Sequence, residues 1–417
     1  MKIAVVGAGI VGIATAHALA EDGHTVVVLE KSGAACEETS FATGGLVAPS
    51  LTLPFSLPSK HRHAMQRTWE SGQQLSRNPW MSTQQLGALW RFSKHKTDHV
   101  TAEAEARQLA QFSNDTLQQL LEHYQLDIER SEGQLLLFAT QEAWDGYQPQ
   151  VEQLKSIGVA CRAMTSAECR TIEPALQEGA PILAGLSLPG DSVVNCRQFA
   201  LTLKTLSQKR GVDYRFNAPV VGLEAGPKPV LRIALSTGTV TEAFDHVVLC
   251  TAQWERSIAT QVLPDLPSLA IHGYTLSVTL KEPLNGPRSA IQEHASGLVL
   301  HRMGQRIRVY AGAEVGPRPA AHDMKVVNRL YQALETYFPG ATNYKASKQV
   351  WQGTRHCLAD GLPAVGPSRV TGVSLNLGHG ANGWGWACGT AQILADQLAG
   401  RDGLMSSTPF LPSRFSA

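Results

Sequence analysis

Gly7, Gly9 and Gly12 stand in the spacing Gly-x-Gly-x-x-Gly within the first dozen residues. In that pattern the first glycine permits a tight turn, the second lets the backbone approach a pyrophosphate, and the third brings a helix close to a strand. Glu30 ends a second apolar run, where a carboxylate accepts bonds from both hydroxyls of a ribose and repels a 2′-phosphate. These residue types suit an unphosphorylated adenosine ribose, as in FAD or NAD. A second small-residue turn lies near the other end, Gly378-His379-Gly380-Ala381-Asn382-Gly383-Trp384. Free backbone N–H groups at a helix entry stabilise negative charge, and reduced flavin carries such charge along its N1 and C2 carbonyl edge. Nicotinamide has no comparable need, so the second turn favours FAD; an NAD-dependent dehydrogenase is the rival.

The elements that must position these turns follow from periodicity. Residues 3–6 form a short apolar run suited to a buried parallel strand, 13–20 have helical spacing, and 25–29 form a second strand ending at Glu30. The segment 37–45 is rich in small and hydroxyl residues that can lie against a pyrophosphate or a ring. Towards the C-terminus, 373–377 reads as a strand and 385–398 as a helix with an apolar face. Runs of strand character fall at 231–235, 276–280, 297–301 and 307–310. A long helix over 102–124 carries Leu109, Phe112, Leu117, Leu120 and Leu121 on one stripe, which suits packing on the sheet that those runs would form.

Composition narrows the function classes. With 417 residues, two connected domains are expected. Lys plus Arg number 36 and Asp plus Glu 35, so no global field gathers nucleic acid. The seven cysteines form no Cys-x-x-Cys pair, which speaks against a zinc site or a disulfide framework and for a cytoplasmic setting, with no metal. Residues 2–20 resemble a secretory signal, but the glycine spacing inside them argues for a nucleotide turn.

The chain resembles the D-amino acid oxidase superfamily of FAD-dependent oxidoreductases, and within it the bacterial D-amino acid dehydrogenase (small subunit) branch. Carrying the resemblance are the opening glycine motif with Glu30, Glu38-Thr39-Ser40 through Gly45-Leu46-Val47-Ala48-Pro49, and Glu132-Gly133. So do Gly273-Tyr274, Arg306-Ile307-Arg308, Gly353-Thr354-Arg355 with Asp360-Gly361-Leu362-Pro363, and Leu375-Asn376-Leu377-Gly378-His379-Gly380. It implies a mixed α/β and α+β molecule, with a Rossmann-like FAD-binding domain and a mainly antiparallel, helix-backed substrate domain. The FAD domain would comprise 1–50, about 145–222 and 345–417, and the substrate domain about 51–144 and 223–344. Further cofactor contacts implied are Ile10, Val11, Lys31, Thr39, Ser40, Gly44, Gly45, Leu46, Val221, Thr251, Gly353, Asn382, Gly383 and Trp384.

Chemistry follows from the resemblance. Removing a hydride from Cα requires that carbon to be held against the flavin with its amine deprotonated. Arg355 takes the place of the family's carboxylate anchor, with a planar fork that grips both oxygens. Tyr274 resembles a tyrosine that bonds the carboxylate, and Arg308 shares a strand face with Arg306 that is functional if it overlies the flavin. No general base stands out, which suits proton removal by water. The expected substrate is a D-amino acid or related imino acid, with a secondary amine such as a hydroxyproline or N-methyl amino acid as an alternative. Electrons would pass to a quinone or other acceptor; a flavin-carrying accessory subunit is a further alternative. The sequence departs from the branch at His356-Cys357, where prolines are expected, and Cys357 raises covalent flavin attachment, although non-covalent FAD is the expectation. Trp80, Leu86, Leu89, Trp90 and Phe92 with Lys94, His95 and Lys96 suit a core helix or a peripheral membrane contact, and homo- or hetero-oligomers occur in relatives.

Overall fold

The computed structural model describes residues 1–51, 75–77, 81–95, 97–251, 258, 261–262, 266–316, 321–343 and 348–415. Trp80 and Lys96 lie outside the described residues.

The apolar run Lys2–Val6 forms the centre of a six-stranded sheet, flanked by Thr25–Leu29 and then Asp213–Arg215 on one side. On the other side come His246–Leu249, Val373–Leu377 and Ala364–Pro367, and all pairings are parallel except the last. Strands buried on both faces read as continuous apolar runs, as 3–6 and 26–29 do. One face is covered by helices Ile10–Glu21, Cys196–Lys209 and Gly383–Ala399, around a core that includes Ile3, Val5, Ile13, Leu19, Phe199, Trp386 and Leu394. The other face meets a three-stranded antiparallel sheet, Val220–Glu224, Val230–Leu235 and Gly238–Ala243, through Leu223, Leu231 and Ile233.

Among the described residues the second large sheet has ten strands and is mainly antiparallel. Its path runs Lys348–Leu358, Ser268–Thr279, Arg306–Val315, Val299–Met303, Ala290–Glu293, Arg130–Phe138, Ala184–Val194 and Leu46–Val47. Leu75–Arg77 and Arg162–Thr165 pair at its sides. Helix Met324–Tyr337 covers one face, with Val327, Leu330 and Leu334 against Leu276, Val278, Ile307 and Val309. On the other face helix Gln141–Ser156 packs Tyr147, Val151 and Leu154 on Leu136, Phe138 and Leu186.

The mixed architecture agrees with expectation, but the sheets divide the chain at other points. Ala184–Val194 and Lys348–Leu358 belong to the ten-stranded sheet and His246–Leu249 to the six-stranded one, each inside a segment expected on the opposite side. The run 231–235 joins neither large sheet. Helix His99–His123 also differs from expectation: its Ala106, Leu109, Ala110 and Leu117 enter the core of the nucleotide lobe, and Ser113 Oγ accepts from Gly389 N–H at 2.9 Å. An apolar stripe states that a helix packs but not on what.

The chain's C-terminal segment is fastened by Arg414. Its Nε donates to Asp360 Oδ2 at 2.6 Å, and it also bonds the carbonyls of Leu362, Phe410 and Leu411. Asp360 is nearly buried, so removing its partner leaves a desolvated carboxylate. Arg414→Ala should cost about 3 kcal/mol of stability in denaturant titration, and Asp360→Asn in that background should recover part of it. A double variant no better than the single would show that the tail, not the ion pair, carries the effect.

Candidate active site

Between the two sheets lies a cavity of about 550 Å³. Both glycine turns open onto it: Gly7 and Gly9 at one end, and the continuous run from Gly378 to Trp386 at the other. Gly7 adopts φ +106°, and its N–H donates to Leu29 O. Gly12 does not border the cavity; a Cβ there would press on the Gly7 carbonyl, so its lack of a side chain sets how closely helix and turn approach. Helix Ile10–Glu21 begins at Gly9 without a side-chain cap, while Ser40 Oγ accepts from Ile10 N–H at 3.1 Å. Helix Gly383–Ala399 likewise starts without a side-chain cap at Asn382. Two helix N-termini therefore present backbone donors to one elongated space.

Glu30 lines the first end. Its carboxylate is held by Ala8 N–H at 2.6 Å and Ser32 N–H at 2.9 Å, one on each oxygen. Each oxygen keeps a second lone pair for a ribose hydroxyl. Lys31 also lines the space and pairs with Glu38 at 2.7 Å, away from any need for a phosphate partner. Ile10, Val11, Thr39, Ser40, Gly44, Gly45, Leu46, Thr251, Gly353, His379, Gly380 and Asn382 border the cavity as expected. Val221 does not, whereas the neighbouring Pro219 and Val220 do.

The segment 39–45 forms the wall between the two ends. Thr39 Oγ1 donates to Thr354 O at 2.5 Å, Thr275 Oγ1 donates to Ala42 O at 2.8 Å, and Trp384 Nε1 donates to Gly45 O at 3.1 Å. Gly44 is covered by the Tyr310 ring so tightly that no Cβ fits there.

Above that wall the ten-stranded sheet presents one residue per strand in direct register: Leu136, Gln292, Val299, Tyr310 and Thr275. All five line the cavity, and sequence reasoning named none of them. Arg355 enters from the neighbouring strand. Its Nη2 donates to Gly312 O at 2.9 Å, and a Cβ on Gly273 would lie 3.2 Å from the same nitrogen. Burial lowers the Arg355 pKa, opposed by Cys357 and Tyr310, yet an arginine remains charged. Burial pushes the Tyr310 hydroxyl up, with Arg355 pulling it down, so the phenol stays protonated. His356 falls to about 4 and His379 to about 3, both through burial, so neither carries charge at neutral pH. His379 Nε2 is paired with Thr390 Oγ1 at 3.0 Å and offers no general base.

The other two residues expected to be catalytic are placed as follows. Tyr274 touches the cavity border, but its side chain packs with Leu276, Val327 and Leu330 on the opposite face. Its hydroxyl accepts from Asp323 N–H at 3.1 Å and Gln352 Nε2 at 3.2 Å. A register shift between His272 and Tyr274 changes the alternation there, and one residue of slip exchanges the faces. Arg308 does not line the cavity; its Nη1 supports Thr43 O from behind at 3.2 Å. It is a positioning residue for the wall. Cys357 lies against Gly380, and burial pushes its thiol up to about 12, so it is no thiolate.

A fold that aims two helix termini and a row of strand side chains into one nucleotide-length cavity defines a dinucleotide-binding oxidoreductase. The comparisons make this specific. Residues 2–397 match the family model described as DAO, FAD dependent oxidoreductase, and the chain belongs to that family. It is 30% identical over 414 residues to a D-amino acid dehydrogenase from Granulibacter bethesdensis, covering 96% of each chain. Its fold resembles glycine oxidase from Geobacillus kaustophilus, with a TM-score of 0.76, 20% identity and 99% of each chain covered. It also resembles L-proline dehydrogenase from P. horikoshii, with a TM-score of 0.72 and 16% identity, covering 100% of this chain and 97% of that one. FAD is therefore the cofactor, and the donor set fits it: an acidic residue at the ribose end, uncapped helix termini, and a glycine wall no side chain could share.

Behind the wall Asp191 is fully buried. Its Oδ1 accepts from Ser50 N–H at 3.0 Å, and its Oδ2 has no partner. Ser50 sits in the turn Pro49–Leu51, whose two ends line the cavity. Burial pushes the Asp191 carboxyl up to about 7, against the Ser50 bonds that lower it. An acid whose folded pKa exceeds its unfolded value binds more protons when folded. Its stabilising effect is thus complete below about pH 4 and is lost as pH rises to about 7. Asp191→Asn should remove this dependence, so that wild type loses on the order of 3 kcal/mol relative to the variant across that window. Parallel pH–stability curves for the two proteins would refute it.

Proposed function

We propose that this enzyme oxidises a D-amino acid at Cα, and that the convergence of Arg355 and Tyr310 on the cavity carries the reading. FAD, when bound, supplies the two-electron acceptor for the hydride. Arg355 holds the substrate carboxylate with its guanidinium, charged in a space whose histidines are neutral. Tyr310, protonated beside it, donates a further bond. Gly273 leaves the room Arg355 needs, and Thr275 fixes the wall at Ala42. With no side-chain base among the described lining residues at this end, the amine loses its proton to water before the hydride leaves. Arg308, one layer back, keeps Thr43 and hence the Tyr310 contact at Gly44 in place.

The reading takes the six-stranded sheet with its helices as the cofactor lobe and the ten-stranded sheet as the substrate lobe. FAD is held without a covalent bond, in keeping with the protonated Cys357 thiol. A quinone is the proposed electron acceptor. No helix among the described residues is long and apolar enough to cross a membrane. Helix Thr83–Lys94 supports a peripheral contact instead: Trp90 and Leu86 are exposed one turn apart, with Lys94 over the Trp90 ring at 5.8 Å and Arg91 beside them. Assembly into homo- or hetero-oligomers belongs to the same proposal.

Arg355→Ala should keep its flavin spectrum while kcat/KM for anaerobic flavin reduction by D-amino acids falls by about 2 to 4 kcal/mol in transition-state terms, the scale for removing a charge-paired partner. Stopped-flow bleaching measures it. Unchanged reduction would remove Arg355 from the site, and a protein that no D-amino acid bleaches would sink the substrate reading.

A further inference from the structure

The row of side chains over the cavity is apolar at Leu136 and Val299 and polar at Gln292 between them. Gln134, two residues from Leu136 and therefore on the same face, donates from its Nε2 to Gln292 Oε1 at 2.5 Å. Gln134 is 2% exposed, and its own Oε1 is buried with no partner. A buried amide with an orphaned oxygen costs stability that an apolar pair of the same size would not. Packing therefore does not account for the pair. Because Gln134 occupies the Gln292 oxygen, the Gln292 amide is fixed with its Nε2 as the group left to face a ligand. That nitrogen has no hydrogen-bond partner among the described residues, and Gln292 lines the cavity.

Register sets where this donor stands relative to Tyr310, whose hydroxyl feels the Arg355 charge. Gln292 is paired with Val299, and Val299 with Tyr310. Two strand spacings separate them, roughly 10 Å. An amino acid whose carboxylate sits at Arg355 and Tyr310 has its side chain running along the row towards Gln292. The side chain passes Val299, an apolar surface for its methylenes, before it meets the amide.

We propose that Gln292, oriented by Gln134, selects substrates whose side chain ends in a hydrogen-bond acceptor, a carboxamide foremost, over aliphatic side chains of the same length. This rests on the amino acid oxidation proposed above. Gln292 is the specificity-determining group that touches substrate, and Gln134 is a positioning residue acting through it. The polar pair also disfavours a cationic side chain, which would bring a donor against a donor.

The test is the ratio of kcat/KM for D-glutamine to that for D-norleucine, near-isosteres that differ in the terminal acceptor, measured by flavin bleaching on the holoenzyme. Wild type should favour D-glutamine by about tenfold or more. Gln292→Met should abolish the preference, with the loss carried in KM for D-glutamine while D-norleucine improves or holds. Gln134→Met should reduce the preference less, because Gln292 remains but turns freely. Gln292→Leu provides a second variant should the methionine protein lose flavin, which the visible spectrum reports. A wild type that prefers D-norleucine, or a ratio that survives both Gln292 substitutions, overturns the inference while leaving amino acid oxidation intact. Failure of both substrates and of every other D-amino acid to bleach the flavin would instead sink the underlying reading.

Discussion

The backbone of residues 39–45 governs the geometry of the whole site. A loop buried between two sheets must find partners for its polar groups, and here they come from every side. Thr275 and Trp384 donate to Ala42 and Gly45 carbonyls, Val194 N–H donates to Gly45 O at 2.9 Å, and Arg308 supports Thr43. These donors belong to the substrate sheet, the C-terminal helix and the strand Ala184–Val194. One short segment is thus held from both lobes at once. The glycines at 44 and 45 follow from this: Tyr310 packs on the first, and the second adopts φ +73° where a side chain would meet Met303.

Once the wall is fixed, the electrostatics follow. The cavity has an acidic end at Glu30, Glu37 and Glu38 and a cationic end at Arg355. The Arg355 guanidinium is buried beside neutral histidines and a protonated tyrosine, and burial lowers its pKa. Desolvating a charge without a full counter-charge costs several kcal/mol. In the role proposed for Arg355, a ligand carboxylate would offset part of that cost, and Coulomb attraction in a space shielded from water is stronger than at a surface.

Legibility in the sequence tracked the range over which each signal acts. The opening glycine turn and the C-terminal one are local patterns, and both lead to the cavity, as do Glu30 and Arg355. The face Tyr274 takes was not legible, because it depends on an irregularity at Gly273 that pairing, not composition, creates. Tyr310, two residues beyond Arg308, sat in a run already read as strand; alternation alone puts them on one face, but which face meets the flavin is a tertiary fact. The helix over 102–124 was legible as a helix, and its partner was not, since the same stripe fits either lobe. Gln134 and Gln292 carried no signal: a glutamine in a β-run reads as an exposed position, and only the cross-strand register brings the two together in a buried place.

The register argument reaches further than individual residues. In a sheet that forms the ceiling of a site, each strand contributes one side chain per row, and rows advance by two residues. The position along a strand therefore selects depth, and the strand itself selects distance from the carboxylate anchor. Tyr310 lies within reach of the Arg355 charge, and counted from Tyr310, Val299 is one strand away, Gln292 two and Leu136 three. On the reading proposed above, residues in that row can change without disturbing the sheet's other core, because its far faces pack separately under helix Met324–Tyr337. On that reading, the loop between the lobes holds the chemistry and a single line across the sheet sets selectivity, so that the two can vary independently.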